Sequence, residues 1–377
     1  MHLFSINKKL IKLFLLLGGV WSGQVHALIT CELRAGRYDI LQLTPSNISA
    51  GPDLPLGSVI YRGTWQDKSH TDQIVCNTNM STVDYGQIRH ELGIDSAPSP
   101  LSSWTGSPFS GKVYTTNVPG IGIAVWYAGT SVTTTSPLVL QEYTIQVDSS
   151  TLPRTFGYWT TFDISLIKIG ETPPGNYVID SSSFPVTKLY YTAKDNVAGF
   201  PIIVRRIGFS GVLNVSAQTC TTPDVNVDLS THHISELSGG GVTPWVGFNI
   251  QLTNCPIYKG YYGGGNPVDL VAGTYNSPTN NQFGIRLTPV DNIINATDGI
   301  MAVTPTANSA TGVGIQVAID ETGSKTPFNF SQEKIYTSVL NGPSVINIPM
   351  AARYIKTGTT ITPGRADGKI TYTINYY

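Results

Sequence analysis

The C-terminal segment GRADGKITYTINYY, from Gly364 to Tyr377, constrains the fold more than any other stretch of the sequence. Its apolar and aromatic residues fall on every second position, at Ile370, Tyr372, Ile374 and Tyr376. This period of two predicts a β-strand with one apolar face that packs on a core. Because the edge of a sheet exposes unpaired backbone groups, we expect this strand to need a partner on its outer side.

The composition favours an extracellular all-β protein. Only 12% of the residues are charged, against roughly 25% in a typical globular protein, whereas the chain has 38 glycines and 24 prolines. Short alternating segments separated by turn residues recur along the chain, and long windows of helix-forming residues are missing. The formal net charge of −1 gives no indication of a nucleic-acid or anionic-membrane partner.

The first 27 residues have the pattern of a secretory signal peptide. Three lysines precede an apolar run from Leu13 to Val20, and Val25 and Ala27 stand at the positions of a cleavage site. The apolar run is shorter than the ~18 residues that a membrane-spanning helix needs. Cleavage after Ala27 would leave 350 residues with 20 basic and 24 acidic side chains, a net charge of −4. We therefore expect export and a mature chain that begins at Leu28.

Length and cysteine placement divide the mature chain into two halves. A chain of this length exceeds what one hydrophobic core usually serves, so we expect two domains, residues 28–210 and residues 211–377. In an exported protein the four cysteines should form disulfides, for which three pairings are possible. Pairing within each half, Cys31 with Cys76 and Cys220 with Cys255, would stabilise each domain by about 3–4 kcal/mol.

A long loop is predicted over residues 84–111, where the pattern is interrupted by Gly93, Pro98, Pro100, Gly106 and Pro108. Long loops in compact domains are often functional, and Trp104 in this loop is the first candidate for a ligand contact. Trp126 and Trp159 fall in strand patterns and are expected in the core. The weaker candidates for ligand contacts are Trp65, which is read as a loop residue, His70, Asp72 and Arg89.

The sequence contains no motif that indicates an enzyme. It lacks G-x-S-x-G and H-E-x-x-H, and no helix follows the glycine run at 263–265 to make it a phosphate-binding loop. We expect no enzymatic activity and no cofactor. A metal site in the front half would draw on His70 and His90, but two solvent-facing loop histidines are the favoured interpretation. The possible third ligands are Asp67, Asp72 and Glu91.

The back half resembles the subunits that the bacterial chaperone–usher pathway assembles into fimbriae. Its tail shares with them the alternating strand, the penultimate tyrosine Tyr376 and a glycine, Gly364, fourteen residues from the end. The element FNIQLTNCP at 248–256 and the segment Ala-Arg-Tyr at 352–354 precede that tail in the same order. Together these features cover roughly residues 211–377.

This resemblance implies an immunoglobulin-like pilin domain that lacks its last strand. In such subunits a periplasmic chaperone, and later the N-terminal extension of the next subunit, supplies the missing strand by β-augmentation. The outer-membrane usher is a further expected partner. The residues expected to contact the chaperone or the donated strand are Ile370, Tyr372, Ile374, Tyr376 and Tyr377.

The front half, with its own cysteines and strand patterns, is too long to be a donor extension. A subunit that accepts a strand but cannot donate one is expected at the fibre tip, so the chain resembles the two-domain tip adhesins. That resemblance implies two β-sandwich domains, a lectin-like receptor-binding domain followed by the incomplete pilin domain, at the tip of a fimbria on the bacterial surface. The expected receptor is a host-surface glycan. The alternatives are an extracellular matrix protein as receptor, or the role of a non-adhesive adaptor subunit.

Overall fold

The computed structural model describes residues 29–377 except 68–70, 80–81, 149, 151–152 and 266. The predicted signal peptide and His70 therefore lie outside the described residues. The regular secondary structure of the described chain is almost entirely β-strand, as the sequence predicts, with one short α-helix and two 3-10 turns at Ser181–Ser183 and Glu321–Gly323. No helix in this described part is long and apolar enough to cross a membrane.

Seventeen strands make up the described front half. In chain order they are β1 (Ile29–Ala35), β2 (Arg37–Gln42), β3 (Asn47–Ser49), β4 (Val59–Asp67), β5 (Gln73–Thr78), β6 (Asp84–Ser96), β7 (Tyr114–Thr115), β8 (Ile121–Tyr127), β9 (Thr130–Val132), β10 (Leu138–Val147), β11 (Arg154–Phe156), β12 (Thr160–Lys168), β13 (Asn176–Asp180), β14 (Val186–Asp195), β15 (Val197–Ala198), β16 (Ile202–Ser210) and β17 (Val212–Ser216).

These strands form four sheets around one hydrophobic core. Alternation along β12 places Phe162, Ile164 and Leu166 in that core and turns Asp163 and Ser165 to the opposite face of their sheet. The sheet orders are β11-β5-β1-β15, β10-β6-β14-β16-β2, β4-β12-β8-β7 with β9 beside β8, and β13-β17-β3.

The described back half contains helix α1 and ten strands, of which nine form two sheets and β19 joins a sheet of the front half. Residues from both sheets form a second hydrophobic core. The sheet orders are β18-β26-β23-β22-β21 with β24 beside β23, and β25-β20-β27. The elements are α1 (Ile234–Gly240), β18 (Val246–Leu252), β19 (Val268–Asp269), β20 (Gln282–Pro289), β21 (Ile293–Asn295), β22 (Ile300–Ala302), β23 (Val313–Ile319), β24 (Thr326–Pro327), β25 (Lys334–Thr337), β26 (Ile346–Lys356) and β27 (Ile370–Tyr376).

Both disulfides join cysteines of the same half, as the local pairing predicts. Cys31 on β1 is bonded to Cys76 on β5, and these two residues are also direct partners in the antiparallel ladder. Cys220 is bonded to Cys255 beside the second core. Each disulfide therefore closes a loop within the half of the chain that it stabilises.

The prediction of a loop over residues 84–111 is wrong for its first half. Residues 84–96 form β6, which pairs with β10 on one side and β14 on the other. Gly86 lies on this strand against Val197, and a Cβ atom at this position would overlap the Val197 side chain. The loop that remains covers residues 97–113.

Two tryptophans lie in environments opposite to those predicted. Trp65 lies on β4 rather than in a loop, is 1% exposed and stacks on Phe162 with 5.3 Å between ring centroids. Trp159, expected in the core, is 54% exposed. Trp126 is half-buried on β8, on the face of the sheet that is turned away from the main core.

Strand β17 belongs to the front half, although the sequence pattern assigns Val212 onward to the back half. It pairs antiparallel with β13 and parallel with β3. Its residues Leu213 and Val215 are buried in the front core. Gly211, with a φ of 87°, forms the tight turn that leads from β16 into β17, so this glycine is not a break between domains.

A segment of the back half, residues 258–275, crosses onto the front half, and we call it the strap. Its strand β19 pairs in parallel with β4, and Leu270 N–H donates to the Thr64 carbonyl (2.9 Å). The side chains of Tyr262, Val268 and Leu270 are buried in the front core. A Cβ atom on Gly63 would come within 2.7 Å of Leu270. The back half therefore completes the core of the front half.

Candidate functional site

A cleft of about 380 Å³ opens on the outer face of the sheet that contains β4, β12 and β8. The loop at 97–113 forms one of its walls, and the strap contributes Gly264 to its rim. We call this site the aromatic cleft. Its lining residues are Val59, Arg62, Ser107, Pro108, Phe109, Trp126, Gly129, Ser165 and Gly264.

The alternation of β8 explains why a cleft forms here. Residues 121, 123 and 125 of this strand face the main core, whereas Gly122, Ala124 and Trp126 face outward. Two small residues beside one large one leave room for the 97–113 loop to pack on this face. The loop places Phe109 against Trp126, with 5.3 Å between the ring centroids.

Hydrogen bonds within the loop fix the wall of the cleft. Trp104 Nε1 donates to the Pro108 carbonyl (2.8 Å), and Gly111 N–H donates to the Trp104 carbonyl (2.8 Å). Phe109 has a positive φ of 63°, a conformation that a non-glycine residue rarely adopts. Trp104 is therefore close to the cleft, as the sequence predicts for a site residue, but it supports the wall and is not one of the lining residues.

The polar groups of the aromatic cleft are paired with each other. Arg62 donates from Nε and Nη2 to the two carboxylate oxygens of Asp163 (3.2 and 3.1 Å) and from Nη1 to the Gly264 carbonyl (2.7 Å). Its guanidinium lies 4.8 Å from the ring centroid of Trp126, and Trp126 Nε1 donates to Ser165 Oγ (3.0 Å). The cleft thus presents aromatic rings and hydroxyl groups, and its one charged lining residue is already matched by a carboxylate.

Two of the other predicted site residues, Asp72 and Trp65, belong to a buried charge cluster beneath the front-half sheets. Asp72 accepts hydrogen bonds from Arg205, which also pairs with Asp39 and Asp67 and lies over the ring of Trp65. Burial raises the pKa of the Asp72 carboxyl, and the Arg205 guanidinium opposes that shift. These residues stabilise the core and do not reach the aromatic cleft.

The remaining predicted residues lie on or near β6. Arg89 forms an exposed ion pair with Glu142 of β10 (3.0 Å). His90, predicted to face solvent, is buried and stacks on Tyr191 with 4.8 Å between the rings. Among the described residues, no group of three His, Cys, Asp or Glu side chains is arranged to hold a metal ion. His70 lies outside the described residues.

The main residues of the aromatic cleft that sequence reasoning missed are Arg62, Phe109, Trp126 and Ser165. The sequence did contain a signal for Trp126, because it shares its strand face with Gly122 and Ala124 rather than with the isoleucines of β8. No comparable local signal exists for Phe109, which reaches the cleft only through the fold of its loop.

The back half has a longer concavity of about 730 Å³, which we call the open groove. Its lining includes residues 224–229 and residues 365–370 with Tyr372, whose hydroxyl donates a hydrogen bond to the Pro223 carbonyl. The segment 224–229 forms no strand. The apolar residues that line the groove include Phe248, Ile250, Leu287, Met301, Ile315 and Val317.

Strand β27 pairs with β20 on one side only in the described structure. Tyr377 and Gln282 exchange two backbone hydrogen bonds (2.7 and 3.0 Å), so they are a hydrogen-bonded pair of the antiparallel ladder. Because such pairs alternate along a strand, the backbone N–H and C=O groups of Ile370, Tyr372, Ile374 and Tyr376 point away from β20. Ile370 and Tyr372 line the open groove, and Ile374 is half-buried beside the second core. β27 therefore has a free edge next to an uncovered apolar surface.

The last two residues of the predicted contact set are engaged at the junction with the front half. Tyr376 is buried, and its hydroxyl accepts a hydrogen bond from the Cys220 N–H (3.1 Å). Tyr377 packs on the front core, and its hydroxyl donates to Glu333 (2.9 Å). A chaperone that contacts these two residues would meet the front half at the same place.

Comparisons with known proteins point to one class. A family model described as fimbrial protein matches residues 207–377. A fimbria adhesin protein of Klebsiella pneumoniae is 25% identical over 374 residues, which cover 97% of this chain and 99% of the relative.

Solved structures of fimbrial adhesins are also similar to this chain. The CupB6 tip adhesin from Pseudomonas aeruginosa has 16% identity and a TM-score of 0.34, and the match covers 91% of this chain and 93% of that chain. The receptor binding domain of the plasmid-born adhesin MrkD1P of Klebsiella pneumoniae has 18% identity and a TM-score of 0.29, and the match covers 51% of this chain and 98% of that chain. The predicted resemblance is confirmed by the sequence matches: residues 207–377 match the fimbrial protein family, and the chain as a whole is similar to a fimbrial adhesin.

Proposed function

We propose that this chain is a fimbrial tip adhesin that binds a host-surface glycan in the aromatic cleft and is held in its fibre through the open groove. The observation that carries the proposal is the open groove beside the free edge of β27, in a half that follows a folded front half built around another hydrophobic core. A folded front half of this kind is a binding module rather than a free donor extension.

The open groove supports assembly by strand donation. The apolar lining residues that are only half-buried include Val225, Val227, Phe248, Ile370 and Tyr372. Completing the burial of each would contribute part of the about 1.5–3 kcal/mol that full burial of a large apolar side chain is worth. A strand with apolar residues at alternate positions would cover them while its backbone pairs with the free edge of β27. The partners that follow are a periplasmic chaperone, the outer-membrane usher and the donor segment of the next subunit, and the location is the fimbrial tip on the cell surface.

The aromatic cleft supports a glycan receptor. Its volume lies near the lower end of the ~300–1,000 Å³ range of small-ligand sites, whereas a matrix protein would need a broad patch of roughly 800 Å². Trp126 and Phe109 offer apolar ring surface for the C–H face of a sugar. Ser107, Ser165 and the Gly264 backbone offer polar groups for its hydroxyls.

The charges around the cleft favour a neutral sugar over a sialylated or sulfated one. An acidic sugar would compete with Asp163 for Arg62. Asp163 is buried, so losing its cation would leave a buried carboxylate unpaired, which is unfavourable. Lys112 lies nearby, but its Nζ donates to the Ser131 carbonyl (3.1 Å) and it does not line the cleft.

A glycan array probed with the complete chain tests this proposal. We expect binding to neutral glycans, weakened about tenfold or more by Trp126→Ala, because the substitution removes the ring on which the sugar packs. Trp159→Ala is the matched control, since Trp159 is exposed and does not line the cleft. Binding that is unchanged in Trp126→Ala, or binding to an extracellular matrix protein with no glycan bound, would refute the glycan site.

A further inference from the structure

The front half already occupies the last position on the free edge of β27. The backbone N–H of Asp53 donates to the Tyr376 carbonyl (3.0 Å), and the Tyr376 N–H donates to Oδ2 of Asp53 (2.8 Å). These two bonds use both backbone groups of Tyr376 that point away from β20. Ile374 presents the same groups two residues earlier, and none of the described residues hydrogen-bonds to them.

The loop that carries Asp53 is anchored on both halves. The Pro52 carbonyl accepts a hydrogen bond from Lys168 of β12, and Leu54 is buried in the front core. Gly51 lies directly against the backbone of Tyr376, where a Cβ atom would overlap the Tyr376 carbonyl. Asp53 is therefore held in place by the front-half fold and is not a side chain that can move freely along the edge.

The open groove ends before this contact. Its lining includes Ile370 and Tyr372 but neither Tyr376 nor any residue of the Asp53 loop. The free edge thus offers backbone groups at Ile370, Tyr372 and Ile374, whereas those of Tyr376 are already hydrogen-bonded to Asp53. An incoming strand that extends past Ile374 would meet the loop at 51–54.

We propose that Asp53 is a stop that fixes the register of the donated strand, an inference that rests on the proposed strand-accepting function of the open groove. A shift by one residue would turn every inward side chain of a donor to the outside. A blocked position at one end of the edge selects the register in which the donor's apolar residues enter the groove. Asp53 is thus a specificity-determining residue that the front half contributes to a site in the back half.

Amide hydrogen exchange in the complete chain tests the stop. The four amides of interest belong to Ile370, Tyr372, Ile374 and Tyr376, so isotope labelling of isoleucine and tyrosine lets NMR follow each of them. The probe is a peptide of alternating valine and threonine long enough to span Ile370 to Tyr376. Without the peptide, we expect the Tyr376 amide to be protected and those of Tyr372 and Ile374 to exchange rapidly. The peptide should slow the latter two by roughly tenfold or more and leave Tyr376 unchanged.

Substitutions separate the stop from general effects on folding. Asp53→Ala should remove the protection of Tyr376, and Asp53→Asn, which keeps an acceptor oxygen, should retain most of it. Asp224→Ala removes an acidic side chain that lines the groove but does not bond to Tyr376, so it is the matched control and should leave Tyr376 protected.

The outcomes distinguish the stop from the function on which it rests. If the peptide slows exchange at Tyr372 and Ile374, but the Tyr376 amide exchanges as rapidly as theirs when no peptide is present, the stop is wrong and strand donation stands. If the peptide slows exchange at none of these positions, strand donation into this groove is wrong and the stop is overturned with it.

Discussion

At the scale of single residues, burial controls the protonation of His90. The side chain is 3% exposed, stacks on Tyr191, and its pKa is lowered by burial to about 4. In the unfolded chain a histidine has a pKa near 6.5, so the unfolded state binds a proton more readily than the folded state. The stability associated with neutral His90 is therefore complete above about pH 6.5 and is lost as the pH falls toward about 4.

We predict that His90→Phe makes the protein less sensitive to acid. Phenylalanine keeps a ring against Tyr191 but does not titrate, so the variant should escape a loss on the order of 3 kcal/mol that the natural chain suffers between about pH 7 and pH 4. Chemical unfolding at several pH values measures this difference. Parallel pH profiles for the two proteins would show that His90 is not kept neutral by the fold.

The tryptophans show what a residue pattern can and cannot predict. Trp65 is followed by polar residues and preceded by Gly63, so the sequence suggested a loop, but Gly63 only makes room for Leu270 of the strap. Trp126 was predicted as a core residue because its strand is apolar. The face of β8 that carries Trp126 also carries Gly122 and Ala124. The 97–113 loop covers only part of this face, and the uncovered part forms the aromatic cleft.

At the scale of elements, β6 illustrates why a strand escaped detection. The period of two is present, because Gly86, Ile88, His90, Leu92 and Ile94 all lie on its buried face. A glycine and a histidine within this face weaken the apolar signal, and each is explained only by tertiary neighbours, Val197 and Tyr191. The tail strand β27, whose alternation has no such interruption, was predicted correctly.

The position of β17 changes the expectation for an isolated front domain. We propose that the front unit ends near Ala217 rather than Ser210, because Leu213 and Val215 are buried in its core. We predict that residues 28–210 are less stable than residues 28–217 by at least about 3–6 kcal/mol, the burial of these two side chains alone. Thermal unfolding of the two fragments, compared with the complete chain, tests this boundary.

The complete chain is the second reference in that experiment. It should melt higher than either fragment, because only the complete chain contains the strap residues Tyr262, Val268 and Leu270. If residues 28–210 unfold cooperatively at the temperature of the longer fragment, β17 is dispensable and the boundary predicted from the sequence is correct.

At the scale of the whole molecule, the two halves are joined by more than a linker. The strap completes the front core and supplies Gly264 to the aromatic cleft, while Asp53 of the front half holds the end of β27. These contacts connect residues from 202 positions apart, for Arg62 and Gly264, to 323 positions apart, for Asp53 and Tyr376. No local pattern could predict them, since the strap reads as a tyrosine- and glycine-rich loop and Asp53 lies in a proline-rich turn. The sequence motifs identified the open edge of β27 but not the contact of Asp53 with Tyr376 at the end of that strand.

The proposed anchoring of this chain in a fimbria depends most on whether the open groove accepts a strand. The most direct test is the melting temperature of the complete chain with a peptide of alternating valine and threonine fused after Tyr377 through a flexible glycine-rich linker. The control is the same fusion with the peptide pattern shifted by one residue within the same length, and the unfused chain is the reference.

We predict that the fusion raises the melting temperature by roughly 10 °C or more, because several apolar residues of the groove become covered and the edge of β27 becomes paired. The shifted control should give a smaller rise, since its register would turn the valines outward wherever the stop at Asp53 holds. Equal melting temperatures for the two fusions and the unfused chain would show that the domain is already complete, and would contradict the proposal that this chain is anchored in a fimbria by a donated strand.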